Sequence, residues 1–263
     1  MLGAIIGDIV GSPYEFGSDK TKNFRWLRPD CRPTDDSILT IAVGCVCAEG
    51  NCDDEDAFKE ALREKFREIG RAYPDAGFGE RFFQWMMSDS DEPYGSSGNG
   101  SAMRVSPVAW VAGSLEEAER LAKWSAEITH DHPDGIKGAQ AVAAAIYLAR
   151  TGADKDEIRD YIEENYYDLN FTIDEIRPGY RCYMKCEDSV PQAIVCFLEA
   201  EDFEDAVRNA VSLGGDGDTQ ACIAGSIAEA FFGIDEQLQE EIFDYIDDAL
   251  QEYYLSYAEA LYD

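Results

Sequence analysis

The sequence predicts an all-α fold, a compact single-domain bundle of many helices. Ten segments place apolar residues at the i, i+3, i+4, i+7 spacing of an amphipathic helix, and clear period-two strands are missing. Capping residues and glycines stand at the expected ends of these segments. The ten predicted helices run from Ile38 to Cys47, Asp56 to Tyr73, Phe78 to Met87, Leu115 to Ile128, Ile136 to Arg150, Asp156 to Tyr166, Pro191 to Ala200, Phe203 to Leu213, Gln220 to Phe232 and Gln237 to Tyr257.

Start and stop signals agree with this pattern. Two pairs of residues have the spacing of a capping box, Ser114 with Glu117 and Asp154 with Glu157. Glycines are expected just after helices because they adopt the left-handed conformation at little cost. Those at expected helix ends are Gly50, Gly70, Gly113, Gly152 and Gly233.

The N-terminal segment predicts a further helix. Gly3, Gly7 and Gly11 recur every four residues, which leaves one helix face without side chains and lets a second helix approach closely. The segment lacks the lysine and the strand-turn-helix context of a phosphate-binding loop. It is short, has no basic start and carries Asp8, which argues against a signal peptide or a membrane anchor. We therefore expect a cytoplasmic protein.

Charge excludes two classes of partner. The 263 residues include 54 acidic and 22 basic side chains, for a net charge of -32. A nucleic-acid or anionic-membrane surface needs a basic stripe, so neither partner is expected. The hydrophobic share of 45% still suffices for a core, and no composition shift marks a linker. One domain over residues 1–263 is the prediction.

Eight cysteines are scattered along the chain without the dense spacing of a disulfide scaffold. We expect most to be reduced core thiols. The pairs Cys45/Cys47 and Cys182/Cys186 lack the paired CxxC spacing of zinc sites, which disfavours structural zinc.

Two short acidic clusters stand among turn residues directly before apolar helices. They are residues 34–37, TDDS, and residues 214–219, GGDGDT. Helix capping is the simpler interpretation, because a hydroxyl or a carboxylate at a helix start satisfies free N–H groups and favours the helix dipole. Capping needs one side chain, however, and here two carboxylates and a hydroxyl recur twice.

If the clusters converge in the fold, their carboxylates repel one another. Each pair at ~4 Å costs about 4 kcal/mol at an effective dielectric near 20. Divalent cations relieve this repulsion, and carboxylate and hydroxyl oxygens are ligands for Mg²⁺, Mn²⁺ or Ca²⁺. Four carboxylates suffice for a two-metal site, so metal binding and capping both remain open.

Taken together, five motifs resemble the ADP-ribosyl-glycohydrolase family. In chain order they are GAIIGDIVGSPYE at 3–15, PTDDS at 33–37, GNGSAMR at 98–104, ITHDHPDGIKGA at 128–139 and GGDGDTQACIAGSIAEA at 214–230. The resemblance implies an all-α fold with two divalent cations, Mg²⁺ or Mn²⁺. The metal ligands that it implies are Thr34, Asp35, Asp36, Asp216, Asp218 and Thr219. Gly217 stands where relatives more often carry Ser or Thr, at a position that is not a ligand.

The GNGS segment, residues 98–101, has the pattern of an anion-binding loop. Its glycines leave backbone N–H groups uncovered just before a helix predicted to start near Ser101, which is one way to bind an anion. The alternative is a glycine-rich turn with Asn99 in the left-handed region. By resemblance, Gly98, Asn99, Gly100 and Ser101 bind the diphosphate and ribose of ADP-ribose.

The remaining candidate residues come from the resemblance as well. A Thr-His motif matches Thr129 and His130, so His130, rather than His132, is expected to contact substrate. Glu15 matches a glutamate near the metals that is implicated in gating or acid-base work, and Asp8 matches an acidic position without an assigned role. The expected catalytic residues are Glu15, Asp35, Asp36 and Asp216.

The resemblance implies a metal-dependent hydrolase that cleaves ADP-ribose from an arginine guanidinium or a hydroxyl oxygen, on a modified protein or a small molecule. A hydrolase of another ribosyl or phosphoribosyl metabolite and a non-catalytic ADP-ribose-binding relative remain alternatives. Three loops match no known pattern and are expected to contact the acceptor, Asp19 to Arg32, Ser88 to Ser97 and Phe171 to Glu187. The oligomeric state stays open, and a monomer is compatible with the sequence.

Overall fold

Helices account for the regular structure of residues 1–17, 20–181 and 184–262, which the computed structural model describes. Within these ranges there is no strand, and Gly98 and Lys185 form one isolated bridge. The prediction of an all-α fold is confirmed. The helices are α1 Leu2–Gly11, α2 Asp35–Ala48, α3 Glu55–Ala72, α4 Glu80–Met87, α5 Gly100–Met103, α6 Ser106–Val111, α7 Leu115–Glu127, α8 Pro133–Arg150, α9 Lys155–Asn165, α10 Ile173–Ile176, α11 Cys186–Leu198, α12 Phe203–Ser212, α13 Gly217–Phe232, α14 Glu236–Ile242 and α15 Asp248–Tyr262.

The centre of the bundle is the helix α13, which contacts α1, α8, α11 and α12. Its first twelve residues are buried, and all ten residues of α1 are buried as well. A helix that is apolar on every face belongs inside a protein, whereas α3 and α7 show the one-sided pattern of outer helices. The two inner helices carry the first and last motifs of the sequence.

The glycine face of α1 packs directly on α13, as predicted. A Cβ built on Gly7 would lie 2.1 Å from the carbonyl oxygen of Ala221, and one on Gly3 would lie 2.4 Å from that of Gly225. A Cβ on Gly11 would meet the Cα of Asp218 at 2.5 Å. Real side chains do not tolerate such distances, so the two backbones approach this closely only because α1 has glycine here.

Most predicted helices differ from the observed ones by a few residues at each end. The C-terminal prediction, Gln237 to Tyr257, is wrong in one respect, because α14 and α15 are separate helices joined by a 3-10 turn at Phe243–Tyr245. Asp247 explains the break. Its carboxylate accepts hydrogen bonds from the N–H groups of Ala249 and Leu250, both at 3.0 Å, and so starts a new helix.

Two other boundary predictions are wrong. Gly70 lies inside α3 rather than at its end, where a Cβ would meet the Met86 sulfur at 2.4 Å, so close packing accounts for the glycine. Helix α11 begins five residues before Pro191, at the fully buried Cys186, whose thiol donates to the carbonyl of Gly98 at 3.0 Å.

The predicted capping boxes give one full and one partial match. Asp154 and Glu157 form both hydrogen bonds of the box. Ser114 accepts from the N–H of Glu117 at 3.1 Å, but the carboxylate of Glu117 accepts from Gly113, one residue too early. Gly50, Gly152 and Gly233 follow helices with positive φ, as expected.

The described cysteines agree with the prediction that most are reduced core thiols. The seven described cysteines are free thiols, six of them buried, while Cys182 lies outside the described residues. None of the described helices combines the length and the apolar composition that crossing a bilayer requires.

Replacing Gly7 tests the contact between α1 and α13. We expect Gly7→Ala to lower the free energy of unfolding by about 1–3 kcal/mol or more, because the methyl group would overlap the backbone of Ala221. Gly113→Ala is the control, since a Cβ there meets only the end of the Glu117 side chain, at 3.4 Å. Urea denaturation measures both, and equal stabilities would contradict the close contact.

Candidate metal and ligand site

The two acidic loops meet where α2 and α13 begin. Carboxylate oxygens of Asp8, Asp36 and Asp218 all lie within 4.8 Å of one another, and so do those of Glu15, Asp216 and Asp218. Asp218 belongs to both groups and connects them. We call these five residues the carboxylate cluster. It combines three distant parts of the sequence.

Capping explains only part of these loops. Thr34 is the N-cap of α2, and its hydroxyl oxygen accepts from the N–H of Asp36 at 3.3 Å. Asp35 and Asp36 follow it in the first turn of α2. Asp216 is the N-cap of α13, yet its side chain makes no capping hydrogen bond. Its carboxylate instead accepts from the amide of Asn99 at 2.6 Å.

Asp8 holds the TDDS loop in place, a role that the motif resemblance left unassigned. Its carboxylate accepts from the N–H and the hydroxyl of Thr34, at 2.9 and 2.6 Å, and from the N–H of Ser37 at 3.1 Å. The hydroxyl of Ser37 donates to it as well. One feature of the sequence could have indicated this role. Asp8 is the charged residue in the middle of an otherwise apolar helix, and a buried carboxylate needs hydrogen-bond partners.

The other predicted ligands lie around the same centre. The hydroxyl of Thr219 is 3.3 Å from a carboxylate oxygen of Asp36. Asp35 belongs to neither group of three oxygens. It lines the adjoining cavity, and its N–H donates to the carbonyl of Ala76 at 3.0 Å.

Burial raises the pKa of every carboxyl group of the cluster, and the neighbouring carboxylates add to the effect for Asp36, Asp218 and Glu15. For Asp35, burial and then the charges of Asp8 and Asp216 raise the pKa to about 8. Without counter-ions, Asp35 therefore holds a proton near neutral pH. A bound cation has the opposite effect on the pKa values of these carboxyl groups.

The cluster fits a divalent cation. The Oδ1 atom of Asp36 is buried and has no hydrogen-bond partner among the described residues. An unsatisfied carboxylate oxygen is rare inside proteins, and it lies here among other oxygen donors. Such an all-oxygen set is typical of Mg²⁺, Mn²⁺ or Ca²⁺ sites. These acidic residues could therefore bind metal.

A cavity of about 500 Å³ opens above the cluster, a size common for small-molecule sites. Its acidic lining residues are Glu15, Asp35, Asp36, Glu80, Asp216 and Asp218. Arg81, Tyr94, Arg104 and His130 line the same cavity, together with the GNG loop. Acidic and basic side chains thus share one space.

The GNGS segment differs in part from the predicted anion loop. The N–H of Gly98 donates to the hydroxyl of Ser96 at 3.1 Å, and that of Asn99 to the carbonyl of Met184 at 3.0 Å, so neither is free for an anion. Asn99 has φ of −76°, which also excludes the left-handed alternative. The helix starts at Gly100, so the N–H groups of Gly100 and Ser101 have no partner within it.

The side chain of Ser101 does not line the cavity. It is fully buried, and its hydroxyl donates to the carbonyl of Gly135 at 2.7 Å. His130 lies on the cavity wall, where burial first and then Arg104 and Arg81 hold its pKa well below the ordinary value. His132 is exposed instead and caps α8.

The family model described as ADP-ribosylglycohydrolase matches residues 1–263. The chain belongs to the ADP-ribosylglycohydrolase family. The resemblance inferred from the five motifs is confirmed, and with it the prediction of an enzyme of this family's type.

Individual relatives are distant but cover most of the chain. ADP-ribosylhydrolase ARH3 of Homo sapiens is 28% identical, with 90% of this chain and 85% of that protein covered. ADP-ribosyl-[dinitrogen reductase] glycohydrolase of Rhodospirillum rubrum is 25% identical, with coverage of 89% and 85%. A solved structure titled "ADP-ribosylglycohydrolase-related protein complex" has a TM-score of 0.64 at 20% identity and covers 99% of this chain and 93% of its own. It supports the fold.

Several residues that line the cavity lie outside the five motifs of the sequence. One part of the lining, Gly77 and residues 79–82, carries no predicted site residue, and the sequence predicted only a helix from Phe78 onward. Of the three unassigned loops, Ser88–Ser97 contributes Tyr94 and Ser96, and Phe171–Glu187 contributes Met184. Residues 20–32 do not line the cavity, and Asp19 lies outside the described residues.

The raised carboxyl pKa values predict how stability depends on pH. For Asp35, the folded state binds a proton between pH 3.8 and about 8 that the unfolded state has released, so stability falls as pH rises through this window. We expect the Tm of metal-free protein to fall by about 5 °C or more between pH 5 and 8, as measured by scanning calorimetry.

Two variants distinguish the effect of these buried carboxyl groups on the Tm from the effect of the protein's overall charge. Asp35→Asn removes one titrating group and should make the Tm less dependent on pH, whereas Asp160→Asn on the exposed face of α9 should not. Saturating Mg²⁺ or Mn²⁺ should abolish the trend, because metal favours the ionised carboxylates. A Tm that rises with pH in metal-free protein would contradict the cluster's raised pKa values.

Proposed function

We propose that this protein is a metal-dependent hydrolase that cleaves the bond between the anomeric carbon of ADP-ribose and an acceptor. The acceptor is an arginine guanidinium or a hydroxyl oxygen, on a modified protein or a small molecule. The carboxylate cluster beside a nucleotide-sized cavity carries this proposal. The family and the names of the two relatives support the ADP-ribosyl part of the substrate.

Two divalent cations, Mg²⁺ or Mn²⁺, complete the proposed site. Two overlapping groups of three oxygens that share Asp218 support this number. When bound, such cations supply ribose binding and acidification of a water molecule. The residues proposed to hold them are Thr34, Asp35, Asp36, Asp216, Asp218 and Thr219.

Asn99 links the cluster to the ligand loop. Its amide donates to Asp216 at 2.6 Å, and the backbone N–H groups of the next two residues have no partner within α5. The loop therefore orients an acidic side chain and lies beside the space for a ligand. We propose that Gly98 provides room in this loop, while Gly100 and Ser101 bind the diphosphate through backbone N–H groups.

Glu15 is the residue proposed for proton transfer. It lines the cavity and is half-buried, and burial together with the charges of Asp216 and Asp8 raises its pKa. A raised pKa suits a carboxyl group that must release and take up a proton near neutral pH. Loss of the acceptor develops positive charge on the ribose ring, which the surrounding carboxylates stabilise.

Two exposed apolar side chains line the cavity. They are Phe16 and Met184, which are 60% and 53% exposed. Exposed large apolar side chains beside a cavity are typical of a contact surface for a ligand or a partner. We propose that the acceptor leaves past these two side chains.

Asp218→Asn tests the cluster, because Asp218 belongs to both groups of oxygens. We expect ADP-ribose titrated into Mg²⁺- or Mn²⁺-loaded protein to bind, metal-free protein to bind far more weakly, and the variant to lose the metal-dependent part. Release of the acceptor should fall by roughly 100-fold or more, as for removal of a comparable electrostatic group. Asp216→Asn should behave alike, and Asp160→Asn should match the parent protein.

A panel of candidate substrates tests which acceptor is released. It includes ADP-ribosyl-arginine, O-linked ADP-ribosyl-serine and other ribosyl or phosphoribosyl compounds. Release from one of the first two confirms the proposal and identifies the acceptor. Turnover of only a ribosyl or phosphoribosyl metabolite would indicate the alternative hydrolase, and ADP-ribose binding without any turnover would indicate a non-catalytic relative. Full activity of Asp218→Asn would remove the metal site from the mechanism.

A further inference from the structure

The ammonium group of Lys20 binds three backbone carbonyl oxygens. Its Nζ atom donates to the carbonyls of Arg177 and Tyr180, both at 2.6 Å, and to that of Leu213 at 2.9 Å. An ammonium group has three protons to donate, so these carbonyls match its full donor capacity. Arg177 and Leu213 stand at the ends of α10 and α12, where helix carbonyls lack partners and favour a cation.

These partners of the ammonium group are neutral oxygens, in a chain with 54 acidic residues. Lys20 is half-buried, and burial followed by the charges of Arg181 and Arg177 lowers its pKa. Charge pairing therefore does not explain its position, whereas the three carbonyls do. Because they meet at a single nitrogen, they fit a compact ammonium group better than the planar fork of an arginine.

Leu213 directly precedes the acidic loop of α13. The next two residues, Gly214 and Gly215, have φ of 69° and 78°, and Asp216 of the carboxylate cluster follows them. Successive glycines lose much conformational freedom when they are held in one conformation. From inside the bundle, the amide of Gln220 donates to the carbonyls of Gly214 and Asp216, both at 3.1 Å. The ammonium group holds the beginning of the same segment.

The acidic loop in turn holds the turn that carries Glu15. The N–H of Phe16 donates to the carbonyl of Gly215 at 2.6 Å, and the N–H of Gly17 donates to that of Tyr14 at 2.9 Å. Phe16 has φ of 56°, a left-handed conformation that costs free energy in a bulky residue. Its side chain is exposed, so burial does not offset this cost. The bond to Gly215 therefore restrains the backbone beside Glu15.

We infer that Lys20 is a positioning residue that fixes the loop of residues 213–216 and thereby the turn carrying Glu15. The ammonium group holds the loop at its first carbonyl, and the bond between Phe16 and Gly215 transmits this restraint to the turn. The assignment of Glu15 to proton transfer rests on the proposed function. The restraint itself stands on the hydrogen bonds alone.

Hydrogen exchange of the Phe16 amide, followed by NMR in metal-free protein, tests the restraint without any substrate. We expect Lys20→Met to speed this exchange by about tenfold or more, because three bonds from a charged donor are lost. Lys155→Met is the matched control. Lys155 is also half-buried, its Nζ donates to the carbonyl of Ala200 beyond the end of α11, and burial lowers its pKa as well. Equal exchange rates in the two variants would overturn the inference.

The fold should survive the loss of Lys20. The guanidinium of Arg177 donates to the hydroxyl of Ser212 at 3.0 Å and joins the ends of α10 and α12 independently. Circular dichroism checks this expectation. Lys20→Arg is a milder variant that keeps the charge and several donors, so its Phe16 exchange should lie between those of the parent protein and Lys20→Met. Exchange as slow as in the parent protein in both variants would overturn the restraint.

Chemical rescue tests the N–H donors separately from the charge. Lys20→Ala leaves space for a small cation. Ethylammonium carries three N–H donors and should slow the exchange of Phe16 again, whereas tetramethylammonium carries the same charge without a donor and should not. Rescue by both cations, or by neither, would overturn the role of the donors.

Acceptor release separates this inference from the proposed function. With Mg²⁺ or Mn²⁺ present, we expect Lys20→Met to lower kcat by about tenfold or more because Glu15 is displaced, Lys20→Arg to restore part of it, and Lys155→Met to match the parent protein. A faster exchange of Phe16 with unchanged kcat would overturn the link from Lys20 to Glu15. If the parent protein releases no acceptor from any substrate, the proposed function fails, and the exchange experiments decide the restraint by themselves.

Discussion

The contact between α1 and α13 is the constraint on which the site depends. Three glycines let the two backbones approach to distances that any side chain would prevent. This contact places Gly11 against Asp218, and Asp8 of the same helix then accepts four hydrogen bonds from the TDDS loop. The two acidic loops therefore meet because one inner helix contacts both.

Placing five carboxyl groups together, four of them buried, has a free-energy cost. Mutual repulsion and burial favour protonation, while Asn99, backbone N–H groups and hydroxyls donate to the cluster. The acidity of the surface is a separate matter, since exposed carboxylates are solvated and interact weakly. Inside, the same side chain becomes a strong cation ligand because water no longer screens it.

The rest of the cavity lining offers hydrogen-bond donors that are neutral or buried. Arg104 is fully buried and donates to Thr129 and Ser125, while burial lowers the pKa of His130. The N–H groups of Gly100 and Ser101 have no partner within α5. In the proposed function, such donors would admit an anionic ligand to a protein of net charge -32.

Local patterns in the sequence determined the helices, the glycine face of α1 and the two acidic loops, because each depends on neighbours within a few residues. The motifs also indicated the family. Tertiary structure alone decided that Asp8 anchors the TDDS loop, that Asp35 lies apart from both groups of oxygens and that Gly98 and Asn99 have no free N–H group. It also decided that Gly77 and residues 79–82 line the cavity, and it decided the contacts of Arg104. The reason is physical, since these features depend on which distant groups come within hydrogen-bond distance, and spacing along the chain does not contain that information.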